Sequence, residues 1–310
     1  MDFNHIPVIY KETINGLNVK ADGIYYDATL GGGGHSEGIL KSIIKGHLYA
    51  TDKDKDAIES ARERLEGYKG KFTLIHDDFK NVFQHFERLN VEKLDGILVD
   101  LGVSSYQLDN AERGFSYIND APLDMRMNKS QSISAYEVVN NYSEKELSDL
   151  IFSYGEDKFS RRIAKSIVEK RKQSPIKSTG ELSELIANSY PAKLRYKNGN
   201  PSKKTFQAIR IEVNNELTGL KEFIYECVKK LKSGGRMCVI TFHSLEDRIV
   251  KTAFKYMELD CICDKKMPIC VCDKRKEINI INSKPIIADE EELKNNKRAK
   301  SAKLRVIEKI

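Results

Sequence analysis

Apolar and polar positions along this chain follow two rhythms in turn. Short apolar runs at Gly23 to Tyr26, His47 to Thr51, Phe72 to His76 and Leu94 to Leu101 have the length and content of buried strands. Between them, Lys55 to Leu65 and Lys80 to Leu89 carry apolar residues at helical spacing. Strand and helix in alternation predict an α/β fold with a doubly wound parallel sheet. From about Asp109 the strands stop, and Ala135 to Val139, Glu144 to Tyr154, Lys158 to Arg171 and Thr179 to Asn188 read as helices. The first rhythm then returns. Thr205 to Lys232 reads as a long helical region with Thr205, Ala208, Ile209, Ile211, Val213 and Leu217 on its apolar face, Ser233-Gly234-Gly235 ends it, and Arg236 to Phe242 forms a strand. Residues 1–108 and 206–310 are therefore expected to make one α/β domain, interrupted by an all-helical domain at 109–205.

The first predicted strand runs directly into four glycines, with Ile24 to Ser36 reading IYYDATLGGGGHS. Gly31 to Gly34 permit positive φ and a close approach of backbone to ligand at a strand's carboxyl end. The helix expected from about His35 to Ile44 turns its unpaired amides toward the same crevice. Asp52 ends the second strand, 18 residues after Gly34, where an acid can accept hydrogen bonds from two ribose hydroxyls. A dinucleotide fingerprint beginning at Gly31 needs glycine at position 36, and Ser36 stands there. The pattern Asp27-x-x-x-Gly31-x-Gly33 instead resembles the first motif of S-adenosylmethionine-dependent methyltransferases, where no pyrophosphate has to be cradled.

The chain has 310 residues, 40% hydrophobic and 32% charged, enough for a full α/β core and a second, smaller domain. No run approaches the roughly 18 apolar residues of a membrane span, and the start MDFNHIPVIYKET lacks a basic segment followed by an apolar core. The expectation is a soluble, cytoplasmic protein with no membrane partner. Six cysteines in such a chain argue against a disulfide framework. The net charge of +6 is regional, because residues 140–205 hold 14 Lys/Arg against 8 Asp/Glu. A basic helical domain beside a cofactor fold suits a polyanionic substrate, although Glu169-Lys170-Arg171-Lys172 also reads as a solvated helical face.

Longer blocks narrow the reading. They are His5-Ile6-Pro7-Val8, DATLGGGGHS at 27–36, DGILVDLGVSSYQLD at 95–109, RGFSY at 113–117, APLDMRM at 121–127, KTFQAIRIEVNNEL at 204–217, GGRMCVITFHSLEDRIVK at 234–251 and SAKLRVIEK at 301–309. In this order, over nearly the whole chain, they resemble the RsmH (MraW) family of bacterial 16S rRNA cytosine-N4 methyltransferases. The resemblance implies a Rossmann-like fold that uses S-adenosylmethionine and is interrupted by a helical RNA-recognition domain. It also implies 16S rRNA within the small ribosomal subunit as partner, with no DNA, and a decoding-centre cytosine amine as methyl acceptor. By motif match, Gly33, Gly34 and His35 line the cofactor turn, Asp52 holds the ribose, Phe79 lies against the adenine, and Asp100 and Gln107 complete the cofactor site. Core packing competes as a reading of Phe79, and capping of the next turn competes for Asp100.

An exocyclic cytosine amine is a poor nucleophile because its lone pair is delocalised into the ring, so an enzyme must align it and accept its protons. Many amino-methyltransferases do this with a D/N/S-P-P-Y/F motif after the fourth strand; here Asp100-Leu101-Gly102-Val103-Ser104-Ser105 stands instead. Asp100 is the first candidate acceptor, with Asp124 and His243 behind it. For those two, pairing with Arg126 and a structural hydrogen bond are the competing readings. Tyr190 to Lys197, YPAKLRYK, joins basic and aromatic residues in an expected loop, as an RNA contact or as ordinary loop composition. The charged tail from Asp289 to Ile310 reads as solvated helix and strand, or as an RNA contact at Lys297-Arg298-Ala299-Lys300. Two Cys-x-Cys pairs, Cys261/Cys263 and Cys270/Cys272, admit either a zinc tetrathiolate or reduced thiols in a β-hairpin, and no metal is assigned to the reaction. The alternative function is a cofactor-binding RNA module, or a methyltransferase for another substrate. A dehydrogenase is disfavoured by the missing third glycine.

Overall fold

The computed structural model describes residues 7–197, 199–264 and 269–310; His5 and Ile6 of the amino-terminal block lie outside them. In chain order the elements are α1 (Tyr10–Leu17), β1 (Ile24–Asp27), α2 (Gly34–Ser42), β2 (His47–Asp52), α3 (Lys55–Arg64), β3 (Phe72–His76), α4 (Val82–Arg88), β4 (Leu94–Asp100) and α5 (Ser105–Asp109). There follow α6 (Ala135–Asn141), α7 (Glu144–Gly155), α8 (Ser160–Arg171), α9 (Thr179–Ser189), α10 (Ser202–Asn214) and α11 (Leu220–Lys230). The chain closes with β5 (Leu231–Thr241), α12 (Ser244–Glu258), β6 (Ile278–Ile280), α13 (Glu290–Asn295) and β7 (Lys303–Lys309). It divides into two compact units, one of Met1–Gly102 with Thr218–Ile310 and the other of Val103–Leu217.

In the first unit the seven strands form one sheet in the order β3-β2-β1-β4-β5-β7-β6. Successive residues of a strand face opposite sides, so β1, β2, β4, β5 and β7 each feed two cores. Ile97, Val99, Met237, Val239 and Ile307 pack with Phe86 of α4, Phe223 and Val228 of α11 and Phe254 of α12. Leu98, Cys238, Ile240, Leu304 and Val306 pack with Leu17 of α1, Ile39 and Leu40 of α2 and Ile58 of α3. Helices thus cover both faces, as the alternating pattern predicts. The sheet is not wholly parallel, however. β7 runs antiparallel between β5 and β6, pairing Val306 with Cys238 and Ile307 with both Met237 and Ile280.

The charged tail is consequently not a solvated appendage. Leu304, Val306 and Ile307 are buried, while Arg305 Nε donates to Asp247 Oδ1 of α12 at 2.7 Å. Glu292 of α13 accepts the Ile9 amide at 2.7 Å, tying the tail to the start of the described chain. The region Thr205 to Lys232 also departs from the expected continuous helix. Asn215 at φ 50° and Gly219 at φ 74° put left-handed backbone between α10 and α11, and the chain passes from Lys230 straight into β5.

In the second unit α6 to α10 surround a core that includes Val138, Leu147, Ile151, Ile163, Ile167, Leu182, Ile186, Phe206 and Ile209. Its limits are wider than 109–205 at both ends because Val103 and Leu108 pack against this core and Phe206, Ile209 and Val213 of α10 belong to it. Ser143 and Glu146 form a capping box that starts α7, and Ser134 and Glu137 do the same for α6. Near the end of α7, Gly155 lies so close to α10 that a Cβ would meet the Lys204 carbonyl oxygen at 2.8 Å. Among the described residues no helix is long and apolar enough to cross a membrane.

Ile307 lies inside the sheet and is fully buried, so Ile307→Ala should cost about 2–5 kcal/mol in urea denaturation. A loss below about 1 kcal/mol would show that the tail strand contributes little to the fold.

Candidate active site

Three acids end three neighbouring parallel strands: Asp27 on β1, Asp52 on β2 and Asp100 on β4. The carboxyl edge of an open parallel sheet is where such folds gather ligands. β1 lies between β2 and β4, and the adjoining strand ends are laced together. The Ala28 amide donates to the Leu98 carbonyl at 2.8 Å, the Leu30 amide to the Thr51 carbonyl at 2.9 Å, and the Asp100 amide to Thr29 Oγ1 at 2.6 Å.

Asp27 is almost fully buried. Its Oδ2 accepts the Ser36 hydroxyl at 2.7 Å and its Oδ1 accepts the Thr29 amide at 3.1 Å. This gives Ser36 its role: the hydroxyl that replaces a fingerprint glycine clamps the first turn of α2 to the strand end. Burial still dominates and raises the Asp27 carboxyl from 3.8 to about 6. Asp52 accepts the Gly31 amide at 2.8 Å on Oδ2 and the Asp54 amide at 2.9 Å on Oδ1. Burial raises it to about 6 as well, although its side chain keeps partial contact with solvent. Each Asp52 oxygen retains a lone pair for a ligand hydroxyl.

Asp100 is the most exceptional of the three. Its side chain is 24% exposed, yet Oδ1 is buried with no hydrogen-bond partner among the described residues. Burial first, then the charges of Asp27 and Glu246, push its carboxyl well above the usual range. His35 Nε2 approaches Oδ2 at 3.7 Å, and the His35 ring stacks on Tyr10 with centroids 5.9 Å apart. An uncapped acceptor among desolvated carboxylates favours a ligand that brings positive charge and hydrogen-bond donors.

The glycine turn divides its labour in a way that residue identity does not reveal. Gly31 and Gly33 adopt φ of 49° and 75°. A Cβ on Gly33 would meet Ala61 at 3.1 Å and one on Gly34 would meet Pro7 at 2.3 Å, so these two allow close packing against protein. Gly32 alone of these three faces open space, with nothing within 4 Å of its Cβ position. After Asp100 the Leu101 amide donates to the Ile240 carbonyl at 3.0 Å, and Gly102 at φ 97° brings the backbone against the ring of Phe242. Phe79 is half-buried, its ring centroid 4.5 Å from that of Phe223, so one side of it belongs to the core.

The remaining candidates occupy structural positions. His243 caps α12, with Nδ1 accepting the Glu246 amide at 3.4 Å and the buried Glu246 carboxylate receiving the Phe242 amide at 2.8 Å. His243 Nε2 lies 3.1 Å from Glu246 Oε1 but lacks hydrogen-bond geometry. In the second unit Asp124 holds Arg126 with both oxygens, at 2.9 and 2.8 Å, which lowers its pKa against the burial that opposes it. Arg113 donates to the Arg126 and Met127 carbonyls, and Asn214 Nδ2 donates to the Met125 carbonyl. The blocks RGFSY, APLDMRM and KTFQAIRIEVNNEL therefore converge on one hydrogen-bonded loop. Gln107 is buried in the same unit and forms a capping box with Ser104 at the start of α5.

Of the basic segments, Arg171 is not a solvated charge, since it donates to the Val139 and Tyr142 carbonyls. Tyr190 anchors its loop by donating to Asp157 and packing on Phe159, with ring centroids 4.6 Å apart. Lys193, Tyr196 and Lys197 are exposed, and Arg195 Nε is buried without a partner among the described residues.

A model of the MraW methylase family matches residues 2–310. Ribosomal RNA small subunit methyltransferase H of Clostridioides difficile (strain 630) is 52% identical over 311 residues, spanning 100% of both chains. The protein of that name from Clostridium botulinum (strain 657 / Type Ba4) is 54% identical with the same coverage. Among solved structures, an rRNA methylase from Streptococcus thermophilus aligns over 96% of this chain and 95% of its own at 11% identity, with a TM-score of 0.42.

The raised acids have a signed effect on stability. Asp27 has a folded pKa above its unfolded one, so its contribution is fully present below about pH 4 and is lost as pH rises through about 6. That loss is on the order of 2–3 kcal/mol for a group this buried. Ligand-free protein should therefore lose part of its melting temperature between pH 4 and 7, and Asp27→Asn should shrink that loss. An unchanged slope in the variant would remove Asp27 as its source.

Proposed function

This chain belongs to the MraW methylase family, and on that footing we propose that it transfers a methyl group from S-adenosylmethionine to the exocyclic N4 amine of a decoding-centre cytosine in 16S rRNA of the small ribosomal subunit. The observation that carries the reading is the crevice of Asp27, Asp52 and Asp100, in which a buried oxygen of Asp100 has no hydrogen-bond partner among the described residues. S-adenosylmethionine is cationic at its sulfonium and ammonium groups and carries a ribose diol, whereas the pyrophosphate of a dinucleotide would meet like charge there. When bound, it supplies an activated methyl group. Gly32 leaves room beside the turn, Asp52 offers lone pairs to the ribose hydroxyls, and Phe79 offers the open side of its ring to a purine.

Asp100 is the residue we assign to the acceptor amine. In its ionised form Asp100 has an oxygen, without a partner among the described residues, that can accept a hydrogen bond from the amine and take up its proton as the nitrogen is alkylated, and burial, which favours the protonated carboxyl, assists that uptake. Asp124 and His243 act instead as scaffold, the first through Arg126 and the second as the cap of α12. RNA recognition falls to the unit Val103–Leu217, where Lys193, Tyr196 and Lys197 combine exposed charge with a stacking surface.

The decisive experiment offers labelled cofactor with naked 16S rRNA, small subunits and whole ribosomes, then maps the modified nucleotide. Cofactor binding without label in any of the three would leave a binding module rather than an enzyme. At saturating cofactor, Asp100→Ala should lower kcat by about 10²–10⁴-fold, and near-normal turnover would take Asp100 out of the mechanism. Replacing Lys193, Arg195 and Lys197 together with Ala should weaken RNA binding by roughly tenfold, flatten its salt dependence and leave cofactor affinity unchanged. Equal losses of RNA and cofactor affinity would assign the loop a structural role.

A further inference from the structure

The connection from α12 to β6 contains the four cysteines that the methyl-transfer reading does not use. Its base is pinned to the first unit. The Glu277 amide donates to the Met257 carbonyl at 2.9 Å, the Ile280 amide to Glu258 Oε1 at 3.0 Å, and Lys274 Nζ lies over the Tyr256 ring at 5.3 Å. Beyond that base the described segment has no regular element and no core of its own, since Leu259, Ile262, Ile269 and Val271 are all exposed. Four thiols nevertheless converge there.

The Sγ separations are 3.4 Å for Cys261 and Cys270, 3.6 Å for Cys270 and Cys272, 3.6 Å for Cys272 and Cys261, and 3.9 Å for Cys263 and Cys270. All four sulfurs lie within 4.8 Å of one another. Zinc–thiolate bonds of about 2.3 Å in a tetrahedron require sulfur–sulfur edges of about 3.8 Å, and these distances bracket that value. They are far beyond the roughly 2.05 Å of a disulfide. Backbone amides also point at the sulfurs: Ile262 to Cys272 and Val271 to Cys263 at 3.4 Å, and Cys263 to Cys261 at 3.3 Å. Such donors orient and stabilise metal-bound thiolates from outside the coordination sphere.

We propose that Cys261, Cys263, Cys270 and Cys272 form a structural zinc site that holds the α12–β6 connection in shape. Binding exchanges four S–H protons for one Zn²⁺ with no change of oxidation state, leaving a cluster of net charge −2 that the basic run Lys274-Arg275-Lys276 follows in the sequence. All four positions are filled by protein, so the site is closed to water and substrate and takes no part in methyl transfer. Its metal replaces the apolar core that this segment lacks.

The test is metal analysis by mass spectrometry of the full chain, purified under reducing conditions without added zinc or chelator. About one zinc per chain is expected, and Cys261→Ser/Cys272→Ser should lower it at least tenfold. Because that variant could misfold, the unaltered chain supplies a second measurement. A mercurial reagent should release its zinc, and after removal of the reagent the chain should take up Co²⁺ with thiolate charge-transfer absorption. Metal-free protein with six free thiols, protein with two disulfides, or protein containing iron would each overturn the proposal.

Discussion

Three carboxylates held at the ends of adjacent strands, where water cannot fully solvate them, set the terms for the rest of this molecule. Asp27, Asp52 and Asp100 follow from the strand order, because β1 lies between β2 and β4 and each of the three ends in an acid. Keeping like charges together is unfavourable, and the surroundings are arranged to bear it. Ser36 and the amides of Thr29, Gly31 and Asp54 donate to two of the carboxylates. The third has an oxygen with no partner among the described residues, an imbalance that a ligand bringing positive charge and hydrogen-bond donors would relieve.

The sheet that positions these acids depends on the far end of the chain. β7 enters between β5 and β6, so the last residues complete both cores, and the acids of the crevice are built on a sheet finished only when the tail is in place. The Arg305–Asp247 pair ties that strand to α12, the helix that His243 and Glu246 cap. Family blocks far apart in sequence therefore serve one framework. The histidine that looks catalytic in isolation caps a helix, and the SAKLRVIEK block is a strand of the sheet.

Much of this was legible in the order of residues. Strand β3 lies where the apolar run stands, β2 and β4 differ from their runs by a residue at one end, and β1 is shifted from its run by one residue, because period and length are local properties. The glycine turn and its flanking acids were legible for the same reason. The break between α10 and α11 was not, since Asn215 in the left-handed region is a conformation that asparagine tolerates but does not announce. Nor was the division within the turn, where Gly33 and Gly34 pack against Ala61 and Pro7 while Gly32 stays open, because those neighbours come from distant segments.

Local pattern by itself determined the alternation of strand and helix, the interruption by a helical region, the crevice acids and the four-cysteine segment, all of which are written within a few residues of one another. Tertiary structure alone decided which charges are compensated. Asp124 meets Arg126, Asp27 meets Ser36, and Asp100 has an oxygen without a partner among the described residues, although all three are aspartates beside plausible partners in the sequence. The antiparallel placement of β7 and the convergence of four sulfurs belong to the same class. Both depend on segments meeting in space, and desolvation, which gives each buried charge or thiol its chemistry, acts only once they have met.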